Sequence, residues 1–187
     1  MREENKFYVK NEKELGRNIV VPLLKSMGFS NVRYVCGSDE YGRDIIFSDT
    51  DKFRGIRWLA AQVKNVKIHG TSSKSKGNVQ EIINQIQEAF DNPFNNSLSA
   101  KQEYIKEIYV ITAEEITPKA ETSIVNKFKN QNVTFIHGVK LLELITEFCP
   151  DLIESKTQVH QIKSRLVEIT KKIKKKGSSD LKQNELN

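Results

Sequence analysis

The chain has 187 residues, with 30 Lys and Arg against 24 Asp and Glu and a formal net charge of +6. Its two cysteines, Cys36 and Cys149, lie far apart in sequence, which excludes a disulfide-rich scaffold and a Cys-based zinc site. No apolar run approaches the ~20 residues of a membrane span, and the charged N-terminus (MREENKFYVK) has no signal-peptide core, so we expect a cytoplasmic protein without a membrane segment.

The positive charge is unevenly distributed along the sequence. Residues 1–150 are nearly balanced, with 21 basic and 19 acidic residues, whereas residues 151–187 have 9 and 5. One internal segment, from Lys52 to Gln80, contains seven basic residues and no acidic residue. Such a segment favours binding to a polyanion such as nucleic acid, and a solvated surface is an equally simple explanation of it.

The first half of the chain predicts a leading helix followed by three strands. The helix covers residues 11–27, where apolar residues recur at helical spacing, and Pro22 is an interior irregularity that could kink or shift it. Polar turns separate the strands, and a Gly/Ser/Lys-rich loop follows the third strand. The predicted ranges are strands at 31–36, 44–47 and 57–66, turns at 37–43 and 48–55, and a loop at 69–77.

The second half predicts alternating helices and strands. Thr117 and Pro118 form a helix-start signal, a capping hydroxyl followed by proline. Alternation of this kind is typical of parallel strands joined by crossover helices. We therefore predict an α/β fold over residues 1–150, with a central mixed β-sheet flanked by helices. The predicted ranges are helices at 78–90, 117–129 and 139–148, strands at 107–112 and 133–136, and a polar connection at 91–103.

A C-terminal helical extension is predicted for residues 151–176. Its apolar residues from Leu152 to Ile173 follow a narrow heptad-like spacing, which fits either a homodimer helix or a helix that packs on its own domain. Residues 177–187 are polar and are predicted to be disordered.

Three polar residues on the predicted central strands form a candidate catalytic site. Asp44 opens one strand, and Gln62 and Lys64 lie on the next. Side chains alternate along a strand, so Gln62 and Lys64 share one face. A hairpin-like return between the two strands would bring Asp44 beside them at one edge of the sheet.

This set of groups suits metal-dependent hydrolysis of a phosphodiester. Mg²⁺ prefers oxygen ligands and is usually held by one or two carboxylates, waters and substrate phosphate. The Asp44 carboxylate, the Gln62 amide oxygen and the Val63 carbonyl are the candidate ligands, and Lys64 would orient the attacking water and offset developing charge. Each residue alone is more often a turn or surface residue; their combination is more specific.

The segment GSDEYGRDIIF, followed about fifteen residues later by AAQVKN, resembles the core of the PD-(D/E)XK nuclease superfamily, and most closely its Mrr-like restriction endonuclease branch. The resemblance implies a D…QxK site at Asp44, Gln62 and Lys64, with Asp39 as an additional acid. It also implies a restriction-endonuclease-like fold over roughly residues 11–148, a Mg²⁺ (or Mn²⁺) cofactor, and an endonuclease that cuts DNA in bacterial defence.

The glutamate that the family usually has in the first helix is not at its usual position in this sequence. The family usually has a Glu in the first helix, and in this sequence that position falls on Arg17 or Asn18. Glu14 lies one helical turn before Asn18 on the same face. Either Glu14 takes this role through a shifted helix, or the site has a weakened set of carboxylates.

The basic segment supplies the candidate nucleic-acid contacts, and no base-reading motif accompanies it. The resemblance therefore also implies a sensor or recognition module, in the same protein or in a complex. Two alternatives remain open: a non-catalytic nucleic-acid-binding or assembly module on the nuclease fold, and an RNA or junction-resolving nuclease. The candidate phosphate-binding residues are Arg54, Arg57, Lys67, Lys74 and Lys76.

Overall fold

The computed structural model describes residues 11–37, 40–70, 77–96 and 99–154. The chain divides into two compact units, of which Val9–Cys149 is one. The other comprises Met1–Tyr8 and Pro150–Asn187, and its described part contains one short helix, Asp151–Glu154. All further elements belong to the unit Val9–Cys149.

A five-stranded mixed sheet forms the centre of this unit, in the strand order β1-β2-β3-β6-β7. Strands β1, β2 and β3 form an antiparallel meander, and β3, β6 and β7 run parallel to one another. The predicted mixed α/β sheet is therefore confirmed. The strands of the sheet are β1 (Ser30–Tyr34), β2 (Ile45–Asp51), β3 (Gly55–Lys64), β6 (Glu107–Thr112) and β7 (Asn132–His137).

Helices cover both faces of the sheet. The crossover helices α3 and α4 contact each other and enclose the main core with alternate residues of β3 and β6, among them Trp58, Ala60, Ile108 and Val110. The intervening residues of β3 are buried as well, and α2 contacts α5, which packs on β6 and β7. The helices are α1 (Glu12–Leu15), α2 (Val21–Ser26), α3 (Val79–Asp91), α4 (Pro118–Lys127), α5 (Gly138–Phe148) and α6, the short helix Asp151–Glu154.

The first helix departs from the predicted regular helix at its centre. Gly16–Val20 forms a π-helical turn between α1 and α2, and the N–H of Val21 donates to the Gly16 carbonyl, five residues back. Pro22 has no N–H and cannot continue the ordinary i→i−4 ladder, so the hydrogen-bond register changes just before it. The predicted irregularity at Pro22 thus takes the form of a π turn, which shifts the helical register.

The predicted polar connection at 91–103 contains a small hairpin. Strands β4 (Phe94–Asn96) and β5 (Lys101–Glu103) pair antiparallel outside the main sheet. Phe94 is buried against Trp58, with ring centroids 5.1 Å apart in an edge-to-face arrangement. Strands of three residues are too short to show hydrophobic alternation, so the sequence pattern did not reveal this hairpin within the polar connection.

The predicted C-terminal helix lies outside the described residues beyond Glu154, as does the polar tail. The homodimer helix therefore stays a prediction. Within the described part of the chain, no helix has the length and apolar character required to cross a bilayer.

A tight turn before β2 packs directly on α3. Gly42 has φ +72°, and a Cβ at this position would lie 2.1 Å from the carbonyl oxygen of Gln85. The next residue, Arg43, is almost completely buried, and its guanidinium donates to the carbonyls of Ala89 and Asn92 at the end of α3. The turn and the helix therefore hold each other in place at the entrance to β2.

Replacing Gly42 with alanine should destabilise the fold more than the same change at Gly55. Both glycines have positive φ, but a Cβ at Gly55 meets nothing within 4 Å. Gly55→Ala should cost about 1–2 kcal/mol of backbone strain, and Gly42→Ala about 1–3 kcal/mol more for the clash with α3. Chemical denaturation of both variants measures the difference, and equal losses would show that the turn does not depend on this close approach.

Candidate active site

Asp44 is fixed at the entrance to β2 by two contacts with β3. Its backbone N–H donates to the Ala61 carbonyl at 3.0 Å, and its Oδ2 accepts a 2.6 Å hydrogen bond from the N–H of Val63. These contacts follow from the antiparallel register, in which Ile45 pairs with Ala61. Gln62 lies between the two residues that bind Asp44, so the hairpin brings the candidate carboxylate and amide to the same place.

The protonation of Asp44 is altered by its surroundings. Burial raises the pKa of its carboxyl from the usual 3.8 to about 6; the Val63 hydrogen bond and the Lys64 ammonium oppose this rise, and the Glu12 and Glu40 carboxylates add to it. A buried carboxylate with too few donors around it is an incompletely satisfied anion. Asp44 therefore has residual capacity to bind a cation.

Gln62 is almost completely buried, with 2% of its surface exposed. Its Nε2 donates to the side-chain oxygen of Gln85 on α3, whereas its Oε1 is buried and has no hydrogen-bond partner among the described residues. Buried polar atoms are nearly always paired in folded proteins. The free oxygen therefore marks a position that an additional group is needed to satisfy.

Lys64 ends β3 in a buried position between two carboxylates. Its Nζ lies 3.6 Å from an oxygen of Glu12 on α1 and 3.6 Å from an oxygen of Glu81 on α3. A buried ammonium needs such partners, because an unpaired charge in the interior is costly. The two helices thus hold the lysine at the same end of the strand as Asp44.

The first-helix acid that reaches this group is Glu12. Glu14, the residue expected from the sequence, follows two positions later on α1, about 200° around the helix axis at 100° per residue. The two carboxylates therefore face different directions, and the structure brings Glu12 to Lys64. The role of Glu14 stays a prediction, and the π turn at Gly16–Val20 lies in the same helical segment, between Glu14 and Pro22.

The donor set fits a hard divalent cation of the Mg²⁺ type. Asp44 offers a carboxylate, and Gln62 offers an amide oxygen that is buried and unpartnered. No group of three or more His, Cys, Asp or Glu side chains that could hold a metal occurs among the described residues. The candidate ligands are thus few and all oxygen, which suits a cation that keeps several waters.

Two of the candidate phosphate-binding residues, Arg54 and Arg57, lie away from this group. Arg57 pairs with Asp49 across the β2–β3 hairpin at 2.5 Å, and it lies roughly 23 Å from Lys64 along β3, seven steps of about 3.3 Å. Lys67 pairs with Glu115 at 2.6 Å. Arg54 is exposed in the hairpin turn. Lys74, Lys76 and the additional acid Asp39 lie outside the described residues.

Three residues around the site were not found by sequence reasoning: Glu12, Glu81 and Gln85. Glu81 and Gln85 lie four positions apart on α3, which places them on one face of the helix. That spacing is visible in the sequence, but it gives no indication that the face is turned toward β3. All three become recognisable only through their contacts with Lys64 and Gln62.

Removing the Asp44 charge should stabilise the metal-free protein at high pH. A carboxyl whose pKa is raised on folding contributes stability below its unfolded pKa and loses it as pH rises through the folded pKa. In EDTA, the free energy of unfolding of wild type should therefore fall by up to about 3 kcal/mol, relative to that of Asp44→Asn, between pH 4 and pH 7. The variant's side-chain oxygen can still accept the Val63 N–H. Denaturation curves across this pH range test this, and a variant less stable than wild type at pH 8 would contradict it.

Comparison with known proteins identifies the family of the chain. The family model for restriction endonucleases of the Mrr catalytic type (Mrr_cat) matches residues 17–145, which includes Asp44, Gln62 and Lys64 and begins after Glu12. No curated protein and no solved structure matches the chain. Because the match spans well over half of the sequence and the mixed α/β sheet agrees with it, the chain belongs to the restriction endonuclease family, with a catalytic domain of the Mrr type.

Proposed function

We propose that this protein is a Mg²⁺- or Mn²⁺-dependent DNA endonuclease whose active site comprises Asp44, Gln62, Lys64 and Glu12. The observation that carries the proposal is the unpartnered buried oxygen of Gln62 beside a carboxylate whose pKa is raised by burial. Both features are relieved by one divalent cation with oxygen ligands. Membership of the restriction endonuclease family supports the reaction class.

The cation would be held by the Asp44 carboxylate and the Gln62 amide oxygen, with the Val63 carbonyl as a further candidate ligand. When bound, such a metal supplies polarisation of the scissile phosphate and acidification of a water. The Val63 N–H holds the Asp44 carboxylate in one orientation through its 2.6 Å hydrogen bond. The other oxygen of that carboxylate is then the one available to a ligand.

Lys64 supplies the positive charge that the reaction needs. Its ammonium, kept in place by Glu12 and Glu81, is suited to orient the attacking water and to offset negative charge that develops on the phosphate. The amine is also a candidate to move a proton from that water. Its nearly complete burial keeps solvent from screening this charge.

DNA is the proposed substrate, and a role in bacterial defence is proposed with it, supported by the restriction endonuclease family. The basic segment between Lys52 and Gln80 supports a polyanionic substrate. Arg54 and Arg57 lie at or beyond the end of β3 that is opposite Lys64. Their proposed phosphate contacts would therefore be with a part of the substrate distant from the cleaved bond. Lys67, Lys74 and Lys76 remain candidate phosphate-binding residues.

Purified protein should cut duplex DNA with Mg²⁺ or Mn²⁺ and not with EDTA. Asp44→Asn and Lys64→Met should each reduce the cleavage rate roughly 100-fold or more, because each removes charge used in the transition state. A gel assay on duplex DNA, single-stranded DNA, junction DNA and RNA measures the rate and tests the alternative substrates together.

Lys140→Met is the matched control, because Lys140 is an exposed lysine on α5 paired with Glu143. It should leave cleavage unchanged. Salt-sensitive DNA binding without cleavage, indifferent to metal and to Asp44→Asn, would instead establish the non-catalytic binding module. Preferential cleavage of RNA or junctions would establish the other alternative.

Glu12→Gln should impair cleavage more than Glu14→Gln. The first variant removes a carboxylate that lies 3.6 Å from the Lys64 ammonium and raises the pKa of Asp44. The loss should be about 10-fold or more for Glu12→Gln, in the range typical of groups that orient a metal ligand or its neighbours, and less than about twofold for Glu14→Gln. The reverse ranking would restore Glu14 as the first-helix acid.

A further inference from the structure

We infer that Gln85 on α3 is the positioning residue that decides which end of the Gln62 amide faces the metal. The inference rests on the proposed metal-dependent function. A glutamine at a metal-binding position differs from a carboxylate because the two ends of its amide group are chemically different. Its oxygen can bind a cation, whereas its NH₂ group carries two hydrogens and repels one.

The contact between the two glutamines orients these two ends. The Nε2 of Gln62 donates to the Oε1 of Gln85, so the NH₂ end of the amide is directed toward α3. The Oε1 at the other end is buried and has no partner in the described part of the chain. Gln62 is only 2% exposed in the metal-free fold.

The position of Gln85 is itself fixed by the fold. Its carbonyl lies against Gly42, where there is no space for a Cβ, and Glu81 one turn earlier pairs with Lys64. The same face of α3 thus meets both functional residues of β3. An acceptor held on this face draws the NH₂ group away from the acidic side of the site, where Asp44 and Glu12 would otherwise attract it.

Loss of the Gln85 acceptor should weaken metal binding itself, which can be measured without the cleavage reaction. Gln85→Met keeps the length and helix propensity of the side chain and removes its hydrogen-bonding oxygen. Calorimetric titration with Mn²⁺ at pH 8, without DNA, should show a Kd about 10–100-fold higher than wild type, as is typical when a group that orients a metal ligand is lost. Gln85→Glu retains an acceptor and should bind at least as tightly as wild type.

The decisive measurement repeats Gln85→Met in a Gln62→Glu background. A carboxylate has an oxygen at both ends, so its orientation no longer needs Gln85. The Kd in this background should change by less than about threefold on Gln85→Met. A residue that acts only through packing would produce the same loss in both backgrounds.

Gln87→Met is the matched control, since Gln87 lies on the same helix and its amide bonds to Asp91 instead. It should leave the Kd within about twofold of wild type, and unfolding curves in EDTA show that each variant is folded. Unchanged Mn²⁺ binding in Gln85→Met, or equal losses in the two backgrounds, would overturn the inference while leaving the proposed function intact. A wild-type protein that binds no Mn²⁺ would overturn the proposed function and this inference with it.

Discussion

The hydrogen bond from the Val63 N–H to the Asp44 carboxylate is the contact on which the site depends. At 2.6 Å it connects the entrance of β2 to the middle of the QVK segment of β3. It exists because β2 and β3 pair in one register, from Ile45 with Ala61 to Asp51 with Gly55. A slip of one residue would move Gln62 and Lys64 to the opposite face of the sheet and separate them from α3.

Without a bound cation, the Asp44 carboxylate and the Gln62 oxygen are incompletely satisfied. Lys64 has two carboxylates to balance its charge, whereas Asp44 has one backbone donor and a pKa raised to about 6. Burial of Asp44 and of the Gln62 oxygen costs stability in the metal-free fold, and a bound cation would offset this cost. The small number of acidic residues makes the orientation of each oxygen more important than it is in a site with several carboxylates.

Much of the fold followed from local pattern. The strand at Glu107–Thr112 and the helices near Val79–Asp91 and Gly138–Phe148 agree with the predicted ranges to within a residue or so, because hydrophobic periodicity and cap signals are local properties. The π turn before Pro22 and the β4–β5 hairpin did not follow. The first is a change in hydrogen-bond register, and the second is held by the burial of Phe94 against Trp58, which lies 36 positions earlier in the chain.

The sequence by itself determined the part of the site that lies on adjacent strands. Alternation along β3 places Gln62 and Lys64 on one face, and the short β2–β3 hairpin places Asp44 next to them. Only the tertiary structure decided which helical residues complete the group. Glu12, Glu81 and Gln85 reach the site through the rotation of α1 and the packing of α3, and the rotation of a helix about its axis is set by contacts with the whole core rather than by its own sequence.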